Sequence, residues 1–526
     1  MTQPRPRLLA DAFAALDSGR FSAAVPHCDA LLAADPADAE ARLLLGLARG
    51  AMGETAAAAD LLHAVARARP DCAHPCHDLA GLLDRLGMPT QATAQYRAAL
   101  ALAPQDGGLR RALATRLLRD GDPAGALEAL GDPAGSAASL HLAGQALAEA
   151  GDIPAATAQF RRAVALDPGP AAGWSNLGMM LKIAGKHAAA IAAHDHAVAR
   201  APDAPQLHVN RAVALLHAGR WTEAWGEYEW RLRLPGHTPL PLETLLPSLA
   251  TGIDLAGRTV LLTHEEGFGD TLQFARYAPL LTARGALVLL AVPRALARLL
   301  APLGPIVAPT GTPPAFDFHC PFFSLPRVFA TTPETIPASV PYLAADPARA
   351  AAWRPRLASG GPGLRVGLVW AGQARPWLEG FATLDGRRSA GLAAFAPLAA
   401  IPGVRFVSLQ AGPPAAEARP AGLDLLDPMG EVADFAETAA IVAGLDLVIS
   451  VDTAVVHLAG ALGKPVFLLD RYDNCWRWLS GRPDSPWYPN LRIFRQERLG
   501  DWSGPMDQVA TSLRALAAAW PGDRAA

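Results

Sequence analysis

Apolar and polar positions follow two different patterns along this chain. In the first half, helical patterns come in pairs, and glycine falls between the two helices of each pair, at Gly19, Gly53, Gly87, Gly121, Gly151, Gly185 and Gly219. These glycines are 34 residues apart, except for the 30 between Gly121 and Gly151. Prolines keep the same spacing after the second helix, at Pro36, Pro70, Pro104, Pro168 and Pro202. A fixed period of this kind predicts stacked helix pairs.

The clearest unit runs from Gly173-Trp174-Ser175-Asn176-Leu177-Gly178 through Gly185 to Pro202. It resembles the tetratricopeptide repeat, and the resemblance covers roughly residues 5–234 as about seven units. Such arrays present an extended concave surface, so a peptide or partner protein is the expected ligand. Aromatic residues at the end of the array are expected to dock it on the next domain: Trp221, Trp225, Tyr228 and Trp230.

From residue 258 onward, short apolar runs alternate with helical patterns. The predicted strands are 259–263, 286–292, 364–370, 404–409, 447–451 and 466–469. This alternation predicts parallel sheets covered by helices. Because a Pro-rich passage, 302–341, separates two sets of strands, we expect two Rossmann-like lobes with a cleft between them. The predicted domains are a repeat array (1–234), a Pro-rich linker (235–255), an N-terminal lobe (256–345) and a C-terminal lobe (346–526).

Composition narrows the classes of function. The 46 Lys and Arg nearly balance the 49 Asp and Glu, which disfavours a broad surface for nucleic acid or anionic lipid. Five scattered cysteines suit a reducing compartment better than a disulfide framework. The sequence offers neither a secretory leader nor an apolar run of about 18 residues. These observations predict a soluble cytoplasmic protein without a membrane span.

One cluster raises the question of a metal. Cys72, His74, Cys76 and His77 lie within six residues, but structural zinc sites separate their ligand pairs by a longer loop. The alternative is the start of a repeat helix with Cys76 in the core. We therefore predict no metal site.

The stretch 445–469 reads as strand, turn, short helix and strand. The apolar run 447–451 ends at Asp452-Thr453, and a helical pattern then continues to Gly463. In a parallel sheet this arrangement places the turn and the helix N-terminus at the carboxyl edge, where phosphate groups bind. His457, one turn into the helix, either faces the cleft or packs beneath the turn.

A second turn follows the strand 259–263. Gly267 and Gly269 permit a tight turn and a close approach of a ligand to the backbone. The dinucleotide fingerprint would require a third glycine, so a nicotinamide enzyme is disfavoured. Asp270 is a candidate general base for an acceptor hydroxyl, and its structural alternative is an N-cap for the helix from Thr271.

Together the two turns carry a family resemblance. Segments 265–274 and 451–465, which contain these turns, resemble those of the bacterial tetratricopeptide-repeat glycosyltransferases. The catalytic part of that family is similar to the heptosyltransferases of glycosyltransferase family 9. The resemblance spans nearly all of 256–515 and includes segments 368–372, 385–389, 406–410, 475–478 and 484–489. It implies a GT-B fold of two Rossmann-like lobes, a nucleotide-sugar donor as substrate, and neither a catalytic metal nor another cofactor.

The resemblance also implies residue roles. Donor binding falls on Asp452, Thr453, Ala454, His457, Gly267, Gly269 and Arg388, and Asp270 takes the place of the base. The arginine region departs from many relatives, because residues 373–384 intervene after the strand and Gly386 replaces an expected arginine. Arg375 is therefore a second candidate for the diphosphate.

Two asparagines concern the acceptor. Asn176 and Asn210 lie one repeat apart on first helices and resemble two rungs of the asparagine ladder by which O-linked N-acetylglucosamine transferases hold their acceptors. An amide that donates and accepts hydrogen bonds can hold a peptide backbone. The alternatives are a side chain that faces solvent or one that bonds the neighbouring helix.

The combined prediction is a glycosyltransferase that moves a sugar to a protein or peptide recruited by the repeats. Two alternatives stay open at this point. One is a repeat scaffold with a degenerate nucleotide-binding domain, motivated by the altered arginine region. The other is a glycosyltransferase that acts on a glycan or lipid precursor.

Overall fold

The structure is a computed structural model that describes residues 4–68, 73–85, 87–133, 135–236, 240–265, 267–373 and 386–520. By its packing, the chain divides into two compact units, Met1–Gly173 and Trp174–Ala526. The last two repeats therefore belong to the same unit as the sheets. The domain limits at residues 234, 255 and 345 stay predictions.

Helix pairs build the first unit. Its helices are α1 (Arg5–Asp17), α2 (Phe21–Ala34), α3 (Ala39–Ala51), α4 (Thr55–Ala68), α5 (Ala73–Arg85), α6 (Pro89–Leu102), α7 (Gly107–Arg119), α8 (Pro123–Leu130), α9 (Ala137–Glu149) and α10 (Ile153–Leu166). The glycine inside each pair has a positive φ, for example 70° at Gly19 and 87° at Gly151. Only glycine takes this left-handed conformation without steric cost, which explains the glycine period.

Two further helix pairs begin the second unit. They are α11 (Ala171–Ile183) with α12 (His187–Arg200), and α13 (Pro205–His217) with α14 (Trp221–Tyr228). The start of α11 lies just before the division between the units. The same glycine turn recurs at Gly185 and Gly219, with φ of 71° and 76°.

Two all-parallel sheets follow. The first has the strand order β3-β2-β1-β4, from β1 (Thr259–Thr263), β2 (Leu287–Ala291), β3 (Ile306–Val307) and β4 (Phe318–Pro321). Its helices are α15 (Phe268–Phe274), α16 (Ala278–Thr282), α17 (Arg294–Leu300) and α18 (Leu325–Val328). Every pairing in this sheet is parallel, so the ends of its strands meet at one edge.

The second sheet has the order β10-β9-β8-β5-β6-β7. Its strands are β5 (Leu364–Val369), β6 (Val404–Ser408), β7 (Leu425–Leu426), β8 (Leu447–Val451), β9 (Val466–Asp470) and β10 (Leu491–Arg495). Its helices are α19 (Pro347–Ala358), α20 (Phe435–Ala443), α21 (Ala454–Ala461) and α22 (Ser503–Ala519). All five residues of β8 and of β9 are buried, so the residues after these strands emerge at the middle of the sheet edge.

The aromatic end of the repeats packs on the first sheet domain, as the sequence predicted. Trp225 Nε1 donates to the carbonyl of Thr331 at 2.7 Å. Arg231, 1% exposed, donates to Glu265 and to Ser324, each at 2.8 Å. Buried charge-assisted contacts of this kind fix an orientation as well as a distance.

The predicted linker has structure of its own. Leu246 N–H donates to the His319 carbonyl of β4 at 2.8 Å, and Leu245 pairs in parallel with His319. Part of the segment 240–255 therefore lies along the edge of the first sheet. Strands β3 and β4 both lie within the Pro-rich passage 302–341, where the sequence predicts no strand.

The fold class is confirmed: a tetratricopeptide-repeat solenoid precedes an α/β region of two Rossmann-like lobes, as in the GT-B fold.

Candidate active site

The turn after β8 presents a helix N-terminus without a capping side chain. Thr453 is the N-cap residue of α21, yet its side chain makes no capping hydrogen bond. Its Oγ1 instead pairs with Ser450 Oγ at 3.0 Å. The first N–H groups of α21 thus have no side-chain acceptor at the N-cap, and they leave the partial positive charge of a helix N-terminus at this point.

Asp452 precedes this N-terminus and is half-buried. No hydrogen bond or ion pair within the described ranges engages its carboxylate. Polar groups in such a position ordinarily have partners, so the carboxylate is available to hydroxyl groups of a ligand.

Strand β9, next to β8, ends in a second carboxylate. Asp470 is fully buried, and its Oδ2 accepts from Arg495 Nε at 2.8 Å. Its Oδ1 has no hydrogen-bond partner among the described residues. Burial raises the pKa of Asp470 to about 7 despite Arg495, and the nearby charge of Asp452 adds to the increase. The two aspartates therefore interact at the same sheet edge.

Two arginines converge on Asp473 beyond β9. Arg471 Nε lies 3.1 Å from Asp473 Oδ1, and Arg387 Nη1 lies 3.6 Å from Asp473 Oδ2. Burial alone would lower the pKa of Arg471, but the attraction of Asp473 and Asp452 raises it on balance. Sequence reasoning missed Arg471, because the chain after β9 has no recognised phosphate-binding pattern.

Arg388, the predicted phosphate contact, lies close to the backbone after β5. Its Nη2 donates to the Gln373 carbonyl at 3.0 Å, and a Cβ on Gly372 would overlap its guanidinium. Arg387, one residue earlier, is the arginine that lies near Asp473. The other candidate, Arg375, lies outside the described residues.

In the first lobe, Asp270 is the third residue of α15 and not its N-cap. The helix begins at Phe268, three residues earlier than the predicted start at Thr271, because Gly267 serves as the N-cap residue. Asp270 Oδ2 accepts from the N–H of Gly267 at 3.0 Å and so satisfies a donor at the helix start.

Arg477 binds the other oxygen of Asp270. Its Nη2 pairs with Asp270 Oδ1, and its Nε donates to Gln273 Oε1 at 2.8 Å. Burial would lower the pKa of Arg477, but the attraction of Asp270 raises it well above the usual value. The two residues are 207 positions apart, so the pair joins the lobes. Its only signal in the sequence was the segment 475–478, which the family resemblance included without a role.

The two turns meet at Gly269 and α21. A Cβ on Gly269 would lie 2.8 Å from His457 Cδ2 and 3.4 Å from Ala454 Cα. The missing side chain of Gly269 therefore allows α15 to contact α21 directly. The space beside Gly269 is filled by protein, which differs from the close ligand approach that the sequence suggested.

His457 packs beneath the turn. It is 4% exposed, its Nδ1 is 2.9 Å from Tyr488 OH, and its ring stacks on Trp478 with centroids 5.4 Å apart. Burial lowers the pKa of His457 well below its usual range, and Arg477 and Arg276 lower it further. The neutral ring thus supports the position of α21. Of the two predicted orientations of His457, facing the cleft or packing beneath the turn, the structure has the second.

The two asparagines have different surroundings from an open ladder. Asn210 Nδ2 donates to Ser175 Oγ at 3.0 Å, and its Oδ1 accepts from Gln206 at 2.9 Å. This bond to the preceding repeat is the structural alternative named for Asn210. Asn176 is half-buried. Peptide binding by either residue stays a prediction.

As far as it is described, the cysteine and histidine cluster agrees with the alternative of a repeat helix that has Cys76 in its core. Cys76 is buried with Ala99 and Leu109, and Cys72 lies outside the described residues. Across the described ranges, no three His, Cys, Asp or Glu side chains are grouped as a metal site requires. In the same ranges, no helix is long and apolar enough to cross a membrane.

Comparisons with known proteins identify the family to which the chain belongs. The tetratricopeptide repeat profile matches residues 15–86, 141–205 and 184–229, and the profile of glycosyltransferase family 9 (heptosyltransferase) matches 424–498. Protein FlbA of Caulobacter vibrioides is 31% identical over 516 residues, covering 90% of this chain and 84% of FlbA. The chain belongs to the tetratricopeptide-repeat glycosyltransferases with a family 9 domain.

Solved structures are also similar to part of this glycosyltransferase. A chain of the Cut9–Hcn1 hetero-tetramer of the APC/C has a TM-score of 0.34 at 17% identity, covering 44% of this chain and 50% of its own. A tetratricopeptide repeat protein from Parabacteroides merdae has a TM-score of 0.37 at 15% identity, covering 44% and 93%.

The family 9 match contains the turn after β8 and most of the residues described around it. Asp452, Thr453, Asp470, Arg471 and Arg477 all lie within 424–498. Asp270 lies outside the matched range and is joined to it through Arg477.

Proposed function

We propose that this glycosyltransferase transfers a sugar from a nucleotide-activated donor to a hydroxyl group of a protein or peptide. The observation that carries the proposal is the turn after β8, where an uncapped helix N-terminus and the unengaged carboxylate of Asp452 lie beside the Gly269–Asp270 turn of the other lobe. A donor needs an anion site next to acceptors for sugar hydroxyls, and these residues supply both.

The N-terminus of α21 receives the donor diphosphate in this proposal. Negative charge grows on the leaving diphosphate as the glycosidic bond breaks, and fixed N–H dipoles with nearby arginines stabilise that charge. Asp452 accepts hydrogen bonds from hydroxyls of the sugar or ribose. A hexosyl or heptosyl donor fits this arrangement, and a metal is not required for it.

Asp270 acts as the general base. As the acceptor oxygen bonds to the anomeric carbon, its proton passes to the carboxylate and the nucleoside diphosphate leaves with the electrons of the broken bond. Arg477 and the Gly267 N–H hold the carboxylate in one orientation before the substrates arrive, which is what a positioned base requires.

The repeats recruit the acceptor in this proposal. The support is the presence of the repeats, because arrays of this kind present a concave side that suits an extended chain. Mass spectrometry of proteins that co-purify with the full chain should find sugar-modified peptides, and their number should fall with the Asp270→Asn variant. Modified glycans or lipids without a modified protein would contradict a protein acceptor.

The donor site is tested with Asp452→Ala. We expect this variant to lose thermal stabilisation by nucleotide sugars and nucleotide-sugar hydrolysis while its circular dichroism spectrum stays unchanged. Asp507→Ala, which removes an exposed carboxylate on α22, is the matched control. Asp270→Asn keeps the shape of the side chain, so it should bind nucleotide normally and lose transfer by about 10²-fold or more. Normal nucleotide stabilisation in Asp452→Ala would refute the donor site.

A further inference from the structure

His264 is the first residue after β1 and emerges at the carboxyl edge of the first sheet. Its N–H donates at 2.9 Å to the carbonyl of Ala291, the last residue of β2. In this sheet β2 and β3 lie on one side of β1, and β4 lies on the other. The strand order therefore reverses beside β1. Open parallel sheets bind their ligands at the carboxyl edge, at the point where the strand order reverses.

The second sheet has the same reversal beside the proposed donor site. There β6 and β7 lie on one side of β5, and β8 lies on the other. Val369 of β5 pairs with Ser450 of β8, so Asp452 follows at the edge between these two strands. Asp452 thus lies at the reversal point of its sheet, and His264 holds the corresponding place in the other lobe.

The protein holds one nitrogen of the His264 ring in place. The ring is half-buried, and its Nδ1 lies 2.8 Å from Oγ1 of Thr271, a side chain that is 1% exposed. The ring also packs on Phe268 with centroids 5.7 Å apart. Burial lowers the pKa of His264, although Asp270 and Glu265 act in the opposite direction. The ring is therefore neutral at pH 7 and has a fixed orientation.

The other ring nitrogen is open. Nε2 of His264 has no hydrogen-bond partner among the described residues, and it is not enclosed by the protein. A neutral ring that donates its Nδ1–H to Thr271 keeps a lone pair on Nε2, which can accept a hydrogen bond. The first lobe thus presents a positioned hydrogen-bond acceptor at the edge where such sheets bind ligands.

The ring lies beside the proposed base. Thr271, which holds the ring, directly follows Asp270 in α15. Phe268, which packs on the ring, also packs on Phe435 of α20 in the second lobe, with ring centroids 5.3 Å apart. His264 is therefore next to the Asp270 turn, on the side of the first lobe that meets the second.

We infer that His264 binds the sugar acceptor: its Nε2 accepts a hydrogen bond from an N–H or O–H group of that substrate and holds the reacting hydroxyl group beside Asp270. This inference rests on the proposed function and adds a substrate contact in the first lobe, outside the range that matches family 9. Because the proposed donor site lies in the second lobe, loss of this contact should weaken binding of the sugar acceptor alone.

Kinetics of variants test the contact. Transfer is measured from a panel of nucleotide sugars to synthetic peptides that contain serine or threonine, and to the proteins that co-purify with the chain. His264→Phe keeps a ring of similar size without the nitrogen, so KM for the sugar acceptor should rise about three- to tenfold at unchanged kcat and unchanged KM for the donor. His264→Gln retains a hydrogen-bond acceptor and should recover part of this loss.

A second pair of variants tests how the ring is held. Thr271→Val removes the partner of Nδ1 and should raise the same KM, though by less than His264→Phe does. Thr282→Val, which removes a bond to the Ala278 carbonyl in α16, is the matched control and should leave all these constants unchanged.

The pH dependence is a readout that a purely structural role would not change. A proton on Nε2 turns this nitrogen from a hydrogen-bond acceptor into a donor, so KM for the sugar acceptor should rise as the pH falls below 6.5, the ordinary pKa of histidine. His264→Gln should lack this rise. The charged groups that face the ring, Asp270 and Glu265, are paired with Arg477 and Arg231.

The outcomes separate this inference from the proposed function. An unchanged KM for the sugar acceptor in His264→Phe, or a fall in kcat alone, would overturn the inference and leave the proposed function intact. Loss of thermal stabilisation by nucleotide sugars in His264→Phe would show that the ring only supports the fold, which would also overturn the inference. A parent protein that transfers sugar to neither kind of acceptor would refute the proposed function, and the inference would fall with it.

Discussion

Two turns hold equivalent places in the two lobes, and their aspartates differ in one respect. Each turn follows a buried parallel strand and opens a short helix. Both oxygens of Asp270 are engaged, by the Gly267 N–H and by Arg477, whereas the carboxylate of Asp452 has no hydrogen-bond partner in the described structure. Equivalent positions in two similar lobes thus carry different chemistry.

The difference lies in when each carboxylate acquires its partners. Asp270 is oriented by the folded protein before any substrate binds, which suits a group that must take a proton at one place. Asp452 has no such partner in the described structure, which suits the proposed role of a group that contributes binding energy to a ligand.

Arg477→Ala should have the largest effect. It leaves Asp270 half-buried without its cation and removes the bond to Gln273, so the free energy of unfolding should fall by about 3–5 kcal/mol. Chemical denaturation measures this loss. Arg482→Ala, which breaks an exposed ion pair with Asp484, should cost less than about 1 kcal/mol.

A double-mutant cycle then tests whether the Asp270 interaction is the cause. Asp270→Asn in the Arg477→Ala background should cost little, because the pair is already broken. Additive losses from the two substitutions would show that Arg477 acts through other contacts, and the contrast between the two turns would lose its basis.

Gly269→Ala should separate the turns. The new methyl would lie 2.8 Å from His457, whose ring is held by Tyr488 and Trp478, so α15 must shift from α21. Overpacking of this kind costs about 1–3 kcal/mol. Sugar transfer should fall more than nucleotide binding, since Asp270 moves while Asp452 does not. Gly504→Ala, with open space around its Cβ, should leave both unchanged.

Asp470→Asn should change the pH dependence of stability near Asp452. The folded protein keeps a proton on Asp470 up to about pH 7, whereas the unfolded chain loses it near pH 4, so stability falls as the pH rises through this window. The difference between pH 5 and 8 should be about 2–3 kcal/mol for this residue. Thermal unfolding of Asp470→Asn should lack that decrease, and an unchanged profile would refute the burial of the charge.

Local sequence predicted the elements but not the contacts between them. The apolar run before Asp452 gave β8 with its observed limits, and the 34-residue period gave the helix pairs. The partner of Asp270 could not be predicted, because Arg477 lies 207 residues away and its side chain points to the other lobe only after folding. For His457 the sequence left two orientations, and only the burial of the ring distinguished them.

The arginines show the same limit. The family pattern pointed to Arg388, yet Arg387 is the neighbour that lies near Asp473, together with Arg471 from another loop. Such convergence depends on tertiary packing and not on spacing along the chain.

The indole rings where the repeats join the sheet domain also make an optical probe. Trp221 lies with its centroid 5.6 Å from those of Trp225, Trp476 and Trp487. Rings this close and rigidly oriented couple their electronic transitions, and fixed aromatic packing dominates near-ultraviolet circular dichroism. The native chain therefore carries an intrinsic spectroscopic signal that reports whether its last repeat is packed against the catalytic domain.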